Sequence, residues 1–243
     1  MKTLIIVPAF NEARNLPHVI ASLREAAPEC HICVVDDGST DDTSRVAGRL
    51  GVTVLRSPLN LGIGGAVQLG YLWAYTHDYD AAVQIDGDGQ HDPRYLPQVL
   101  PLLGDGRADV VIGSRFLETG GFRSTALRRM GIRYLSWMLR LRCGARATDP
   151  TSGYRAAGRR AIALFARSYP SDYPEPEAIA LAVRHGLRVQ DFPMQMKPRQ
   201  HGESSINWWK TGYYLVKVSL ALLLLPASER NWAFTSSSAS EES

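Results

Sequence analysis

The sequence is short of cysteine, of long apolar runs and of net charge, and each shortage removes a class of protein. Three cysteines, Cys30, Cys33 and Cys143, in 243 residues do not make the dense, even framework of a small disulfide-stapled domain. Cys30 and Cys33 have the spacing of a metal or redox pair, but no second Cys/His pair follows at zinc-site spacing. Strand alternation would turn them to opposite faces, so they read as buried structural thiols in a reducing, cytoplasmic compartment. No uninterrupted apolar stretch reaches the ~20 residues that span a bilayer. The nearest, residues 218–225, is too short. Residues 4–7 are apolar but lead at once into Pro8, Asn11 and Glu12, unlike a secretory leader. A formal charge of +3 is too small to argue for a nucleic-acid ligand. There are no internal repeats.

What is present is ordinary in amount and uneven in distribution. The 45% hydrophobic and 21% charged content is that of a globular protein, enough for one large domain or two small ones. Arg115, Arg123, Arg128, Arg129, Arg133, Arg140, Arg142 and Arg146 share one stretch with only Glu118 against them, whereas acids gather in 36–42 and 78–92. This suggests two sub-sites of opposite sign, or, more plainly, a solvated basic helix face.

The first half alternates buried strands with helices. Apolar runs predict strands at 3–7, 31–35, 52–56, 81–85 and 110–113. Helices are predicted after Asn11 as cap, from Ser39 or Thr40 as cap through residue 50, over 61–76 and over 93–103. Repeated β-α-β units imply a mostly parallel sheet flanked by helices. Ligands then bind beyond the carboxyl ends of the strands, and the polar motifs fall there: after Val7, Val35 and Ile85. The second half is less regular. Helices are expected over 127–141, 176–185 and 207–225, a polar turn over 149–155, a strand over 187–192, a loop over 199–205 and a disordered tail from 236.

Asp86-Gly87-Asp88-Gly89-Gln90-His91 is the sharpest motif. Two carboxylates flank a glycine at a strand end, a pattern suited to Mg²⁺ or Mn²⁺ held by one or two acids plus substrate phosphates. A plain Asp-Gly turn is the alternative. Asp36-Asp37-Gly38-Ser39 places two more acids at the ligand edge, where one could accept from a nucleobase or ribose. Leu61-Gly62-Ile63-Gly64-Gly65 is a glycine-rich helix start that fits neither the Walker A nor the dinucleotide pattern. Close helix packing and donor-site shaping explain it equally well.

Taken together, Pro8-Ala9-Phe10-Asn11-Glu12, Val34-Val35-Asp36-Asp37-Gly38-Ser39-Thr40-Asp41, Asn60-Leu61-Gly62 and the Asp86–His91 motif resemble the family 2 glycosyltransferases. Gly113-Ser114-Arg115, the 149–155 segment and 199–204 narrow the resemblance to the polyprenyl- and dolichyl-phosphate sugar synthases. It covers roughly residues 3–205.

The resemblance implies an α/β GT-A fold over 1–205, with a nucleotide-binding half (1–113) and an acceptor half (114–205). It implies that Pro8, Ala9, Asn11 and Glu12 line the nucleoside pocket with Gly62 nearby, and that Asp37 meets base or ribose. Asp86 and Asp88 would hold Mg²⁺ or Mn²⁺ with Gln90 beside them. Arg115 and Arg129 would bind the acceptor phosphate, Arg199 and Ser204 would close over the donor diphosphate, and Glu177 would face the sugar. The expected reaction is inverting transfer of a hexose from a UDP- or GDP-sugar to a polyprenyl phosphate. A soluble hydroxyl acceptor, with Glu177 or Asp149 as base, is the alternative.

Two departures stand out. Tyr173-Pro174-Glu175-Pro176-Glu177 has two prolines, which stiffen the approach to the sugar pocket and leave the sugar open. Some members also carry transmembrane helices after this point. Here 206–232 reads instead as an amphipathic helix, with an aromatic start, Lys210 and Lys217, followed by a tail over 233–243. Such a helix suits the cytoplasmic face of a membrane, a membrane-protein partner or a second copy of the chain.

Overall fold

The computed structural model describes residues 1–117, 126–196 and 208–224. Its elements in chain order are β1 (Thr3–Ala9), α1 (Leu16–Ala26), β2 (His31–Asp36), α2 (Thr43–Arg49), β3 (Thr53–Arg56), α3 (Gly62–Thr76), β4 (Ala81–Gln84), α4 (Leu96–Gly104), β5 (Val110–Ser114), α5 (Ala126–Cys143), β6 (Arg155–Gly158), α6 (Arg159–Arg167), α7 (Pro174–Arg184), β7 (Val189–Pro193) and α8 (Trp208–Leu224). A short 3₁₀ turn, Pro93–Tyr95, leads into α4.

The described strands form one sheet in the order β3-β2-β1-β4-β6-β5-β7. β1 lies parallel between β2 and β4, β3 is parallel to β2, and β5 is parallel to β7. Alternation along the strands divides the core. Leu4, Ile6, Cys33 and Val35 face a layer that includes α3, α6 and α7. Ile5, Val7, Val34 and Val83 face α1 and α4. Cys33 lies in the first layer and Cys30 packs against the second, so the two thiols take opposite faces as alternation requires. Burial pushes Cys33 up to about 12, which keeps it an unreactive thiol.

The first half follows the predicted pattern; the second half adds what the sequence did not announce. β6 is antiparallel to both β4 and β5, so the sheet is mixed, and α6 follows β6 directly. Neither had been expected. Two caps also differ. α1 begins at Leu16, with Asn15 at its N-cap and no side-chain cap bond. α2 begins at Thr43 after Asp42, again with no side-chain cap bond. Asn11 and Ser39 are used elsewhere, as described below. α8 covers Trp208–Leu224 of the amphipathic helix expected over 206–232, while the rest of that segment, the loop 199–205 and the tail 233–243 lie outside the described residues.

The glycines of α3 are explained by packing. A Cβ on Gly70 would come within 2.4 Å of the Ile6 side chain, and one on Gly64 within 2.1 Å of the Pro170 carbonyl oxygen. The helix therefore lies tight on β1 and on the loop before α7, with no room for larger residues.

Candidate active site

The ends of β1, β2 and β4 meet on one edge of the sheet. Beyond Ala9, Asn11 adopts a left-handed backbone with φ 57°, a conformation asparagine tolerates better than most residues. Its side-chain oxygen accepts from the Thr40 amide at 2.9 Å, the Thr40 hydroxyl at 3.2 Å and the Asp41 amide at 3.3 Å. Its amide donates to Ser39 Oγ at 2.9 Å, and the Glu12 amide donates to Thr43 Oγ1 at 2.9 Å. The β1 and β2 loops are thus laced together, and the Asn11 carboxamide is spent on that lacing. Glu12 accepts from Asn15 Nδ2 at 2.6 Å.

The adjacent acids after β2 have separate duties. Asp36 is buried, accepts from the Ser39 amide at 2.9 Å and from the Ser44 hydroxyl, and holds the turn. Asp37 is also buried and accepts from the Leu61 amide at 2.7 Å through Oδ1, which ties the β2 end to the start of α3. Gly62, at φ +77°, donates its amide to Asn60 Oδ1 at 3.0 Å.

The Asp86–His91 loop sits after β4. Asp86 is partly exposed and accepts from Gln84 Nε2 at 3.2 Å. The Asp86 amide donates to His91 Nδ1 at 3.1 Å, which leaves the ring proton on Nε2, 3.8 Å from Asp86 Oδ2. Asp88 Oδ1 accepts from the Gln90 amide at 3.0 Å, an Asx turn that fixes its carboxylate. Gly153 closes the other side: a Cβ there would lie 2.7 Å from Asp86 Oδ2. The backbone therefore approaches the carboxylate more closely than any side chain would permit.

These residues fit a divalent cation in one mode only. Among the described residues no group of three or more His, Cys, Asp or Glu side chains could hold a metal. Two carboxylates at one turn suit an ion that takes its remaining ligands from phosphate oxygens and water, as Mg²⁺ and Mn²⁺ commonly do.

Behind Asp86 lies a polar cluster absent from the expectations. Arg155, the first residue of β6, is 1% exposed and pairs in register with Gln84. Its Nε donates to the Ser152 carbonyl at 3.3 Å and its Nη2 to the Glu175 carbonyl. Burial pushes the Glu175 carboxyl up and Arg155 pulls it down, while the nearby Asp86 raises it further; the net direction is up. Glu177 is also pushed up by burial, but the charges around it are Lys217 and Asp172. The reason is helical geometry. α7 starts at Pro174, after Tyr173 at φ 51°, so residues 175 and 177 point to different sides at ~100° per residue. Of the two acids, Glu175 is the one whose carboxyl feels Asp86 and Arg155.

Arg115 and Asp149 also differ from expectation. Arg115 Nε and Nη2 donate to the two Asp149 oxygens at 2.5 and 2.8 Å, and both side chains are almost wholly buried. Thr151 Oγ1 donates to Asp149 Oδ1 at 3.0 Å, and the Arg115 amide reaches Oδ2 at 3.3 Å. Both oxygens of this enclosed carboxylate are engaged inside the fold, an arrangement that speaks against the role of base expected for Asp149. Arg115 is a bidentate partner inside the fold rather than an open phosphate clamp. Arg129 lies on the exposed side of α5. Pro8 and Ala9, expected in the loop after a strand over 3–7, are instead the buried last two residues of β1, and Gln90 follows Asp88 in its loop. Arg199 and Ser204 lie outside the described residues.

The profile of the family described as Glycosyl transferase family 2 matches residues 4–164. The chain belongs to glycosyl transferase family 2. This family 2 enzyme is similar to an undecaprenyl-phosphate mannosyltransferase of Micrococcus luteus, at 34% identity over 90% of this chain and 93% of that protein. It is similar to a polyprenol monophosphomannose synthase of Mycolicibacterium smegmatis, at 32% identity over 85% and 81%. Among solved structures it resembles glucosyl-3-phosphoglycerate synthase of Mycobacterium tuberculosis in complex with Mn²⁺, UDP and glucosyl-3-phosphoglycerate. That match has a TM-score of 0.67 and 21% identity, covering 92% of this chain and 78% of that one. The fold is the GT-A fold, and the protein is a glycosyltransferase.

Proposed function

We propose that this enzyme transfers a hexose, with inversion, from a UDP- or GDP-sugar to a polyprenyl phosphate at the cytoplasmic face of a membrane. The saturated Asp149 carboxylate is the observation that favours this reading. It speaks against one of the two bases a hydroxyl acceptor would use, whereas a phosphate acceptor is already anionic near neutral pH and needs none. The polyprenyl-phosphate transferases named above support it by sequence.

The expected halves, 1–113 for nucleotide and 114–205 for acceptor, divide the roles. Pro8, Ala9, Glu12, Asp37 and Gly62 line the nucleoside side, with Asn11 ordering the loop they share. Asp86 and Asp88, with Gln90 beside them, would hold Mg²⁺ or Mn²⁺. Such an ion, when bound, neutralises charge on a departing diphosphate. Arg199 and Ser204 belong to the segment assigned to the donor diphosphate. Arg129 receives the acceptor phosphate, and Arg115 fixes the loop that positions it. Glu175, held beside Arg155, faces the hexose.

A hydroxyl acceptor is the second reading. Glu175 favours it, because it is an acid on the Asp86 side of the site whose carboxyl is pushed up by burial, as a general base requires. The two are separated by incubating the protein with Mg²⁺ or Mn²⁺, polyprenyl phosphate and a panel of labelled UDP- and GDP-sugars, then partitioning into organic solvent. Metal-dependent label in the organic phase is the expected result. Metal-dependent release of UDP or GDP with no organic label would move the acceptor to a soluble hydroxyl.

A further inference from the structure

We propose that α8 supplies a ligand for the donor sugar: the Tyr214 hydroxyl donates to a hydroxyl of the bound hexose and helps select which hexose is accepted. The inference rests on the reading above that Glu175 faces the hexose, and adds to it a specificity-determining residue from the C-terminal helix.

Two tyrosine hydroxyls that feel the Arg155 guanidinium, Tyr71 Oη on α3 and Tyr214 Oη on α8, are buried and have no hydrogen-bond partner among the described residues. Buried polar groups are paired in the great majority of cases, with protein, water or ligand. Tyr71 belongs to the interior. It is fully buried, and its ring packs on those of Phe165 and Tyr169 with centroids 5.1 and 5.5 Å away. Tyr214 is half-buried and only leans against that layer. The charges that act on its hydroxyl are, in order, Glu175, Arg155 and Asp149.

The direction of Tyr214 is fixed from α7. Its ring meets that of Tyr173 edge-on, at 4.8 Å and 70°. Tyr173 is the N-cap of α7, held at φ 51°, two residues before Glu175. One turn further along α8, Lys217 pairs with Asp172, the residue before Tyr173. Leu215 packs over Gly131 of α5. Successive turns of α8 are therefore pinned to the two residues that lead into the Glu175 turn.

Chemistry selects the occupant. Burial, and after it the Glu175 charge, pushes the Tyr214 phenol well up; Arg155 opposes this, and the net direction is up. The phenol keeps its proton at neutral pH and is available as a donor. An acid beside it disfavours a phosphate or a sugar carboxylate. It suits neutral hydroxyls, which accept from the phenol and donate to the carboxylate. Asp149 does not compete for them, since both its oxygens are bonded to Arg115. A site built to bond a substrate hydroxyl rejects the analogue that lacks it, because the site's own polar group is then left unpaired.

Calorimetric titration of the full chain, with Mn²⁺ and no acceptor, tests this independently of whether the acceptor is a lipid phosphate or an alcohol. The probes are UDP-glucose, GDP-mannose, their monodeoxy analogues, and free UDP and GDP. For the nucleotide-hexose that wild type binds more tightly, Tyr214→Phe should weaken binding about tenfold while leaving the free nucleotide within about twofold. One monodeoxy analogue should bind wild type and Tyr214→Phe equally, which marks the hydroxyl that Tyr214 meets. Because this hydroxyl has no described partner in the fold, ligand-free Tyr214→Phe should melt no lower than wild type; that separates a lost ligand from a lost structural contact. Glu175→Gln in the same titrations checks the underlying reading: unchanged hexose affinity there would remove Glu175 from the hexose side and leave the Tyr214 result standing. Unchanged hexose affinity in Tyr214→Phe, an equal loss for the free nucleotide, an equal loss for every monodeoxy analogue, or a raised KM for the acceptor with donor binding intact would each overturn the inference.

Discussion

Arg115 and Asp149 form a two-pronged ion pair inside the protein, with Nε and Nη2 at 2.5 and 2.8 Å from the carboxylate and almost no exposure on either side. The pair joins the end of β5 to the loop before β6, and so couples the parallel part of the sheet to its antiparallel insertion. Removing one partner leaves the other charge buried and alone. Arg115→Ala and Asp149→Ala should each lower unfolding stability by about 3–5 kcal/mol, read from denaturant midpoints. Arg129→Ala, on the exposed side of α5, should leave the midpoint within about 0.5 kcal/mol while raising the KM for the lipid phosphate. Equal stability loss in all three would remove the distinction between a positioning and a binding arginine.

Glu175 and Glu177 provide a second contrast. Both carboxyls are raised, chiefly by burial, but only Glu175 also feels Asp86 and Arg155. Glu175→Gln should lose most of kcat, and Glu177→Gln should retain most of it. The stability sign follows from the raised value. The folded protein holds the proton more tightly than the unfolded chain, so this contribution is complete below the model-compound value near 4.5 and is lost as pH rises through the folded value. Glu175→Gln should therefore gain stability relative to wild type as pH rises from 4 to 7. A flat difference across that window would contradict the assignment.

Gly153 tests the approach to the metal loop. A Cβ at this position would stand 2.7 Å from Asp86 Oδ2. Gly153→Ala should displace that carboxylate and weaken Mn²⁺ binding about tenfold or more, as measured by electron paramagnetic resonance titration. Its far-ultraviolet circular dichroism should match that of wild type. Unchanged Mn²⁺ affinity would mean that Asp86 does not hold the ion in the position the turn suggests.

Asp88→Ala should abolish transfer with the fold intact, because the Gln90 amide that Asp88 Oδ1 accepts belongs to its own turn and the carboxylate is assigned to the metal rather than to the core. Near-normal activity in that variant, measured by label partitioning, would remove the metal assignment.

The legible parts of the molecule were those where local pattern and tertiary role coincide. β1, β2 and β4 are apolar runs buried on both faces, and such runs announce themselves. The Asp86–His91 motif follows one of them, so its place at the ligand edge could be read directly. β6 could not. Its sequence, Arg-Ala-Ala-Gly, has no β-branched or aromatic residue, and its role depends on Arg155 finding Glu175 and Ser152 far from water. The reversal of β6 is tertiary information with no local signal. Glu175 was not singled out in the sequence for a smaller reason. A helix expected from Pro176 leaves Glu175 in the preceding turn, although proline favours the first helical turn and Pro174 satisfies that rule as well. Asn11 looked like a cap because asparagine caps helices, but its left-handed backbone turns the side chain to the β2 loop instead.

The most direct test of the central claim is a competition between polyprenyl phosphate and the corresponding free polyprenol for one labelled donor sugar, with Mn²⁺ present. The two lipids share a chain and differ only in the attacking group. The account predicts label on the phosphate alone, with little loss in Glu177→Gln and none of the product in Asp88→Ala. Label on the free alcohol, at a rate comparable to the phosphate, would contradict it.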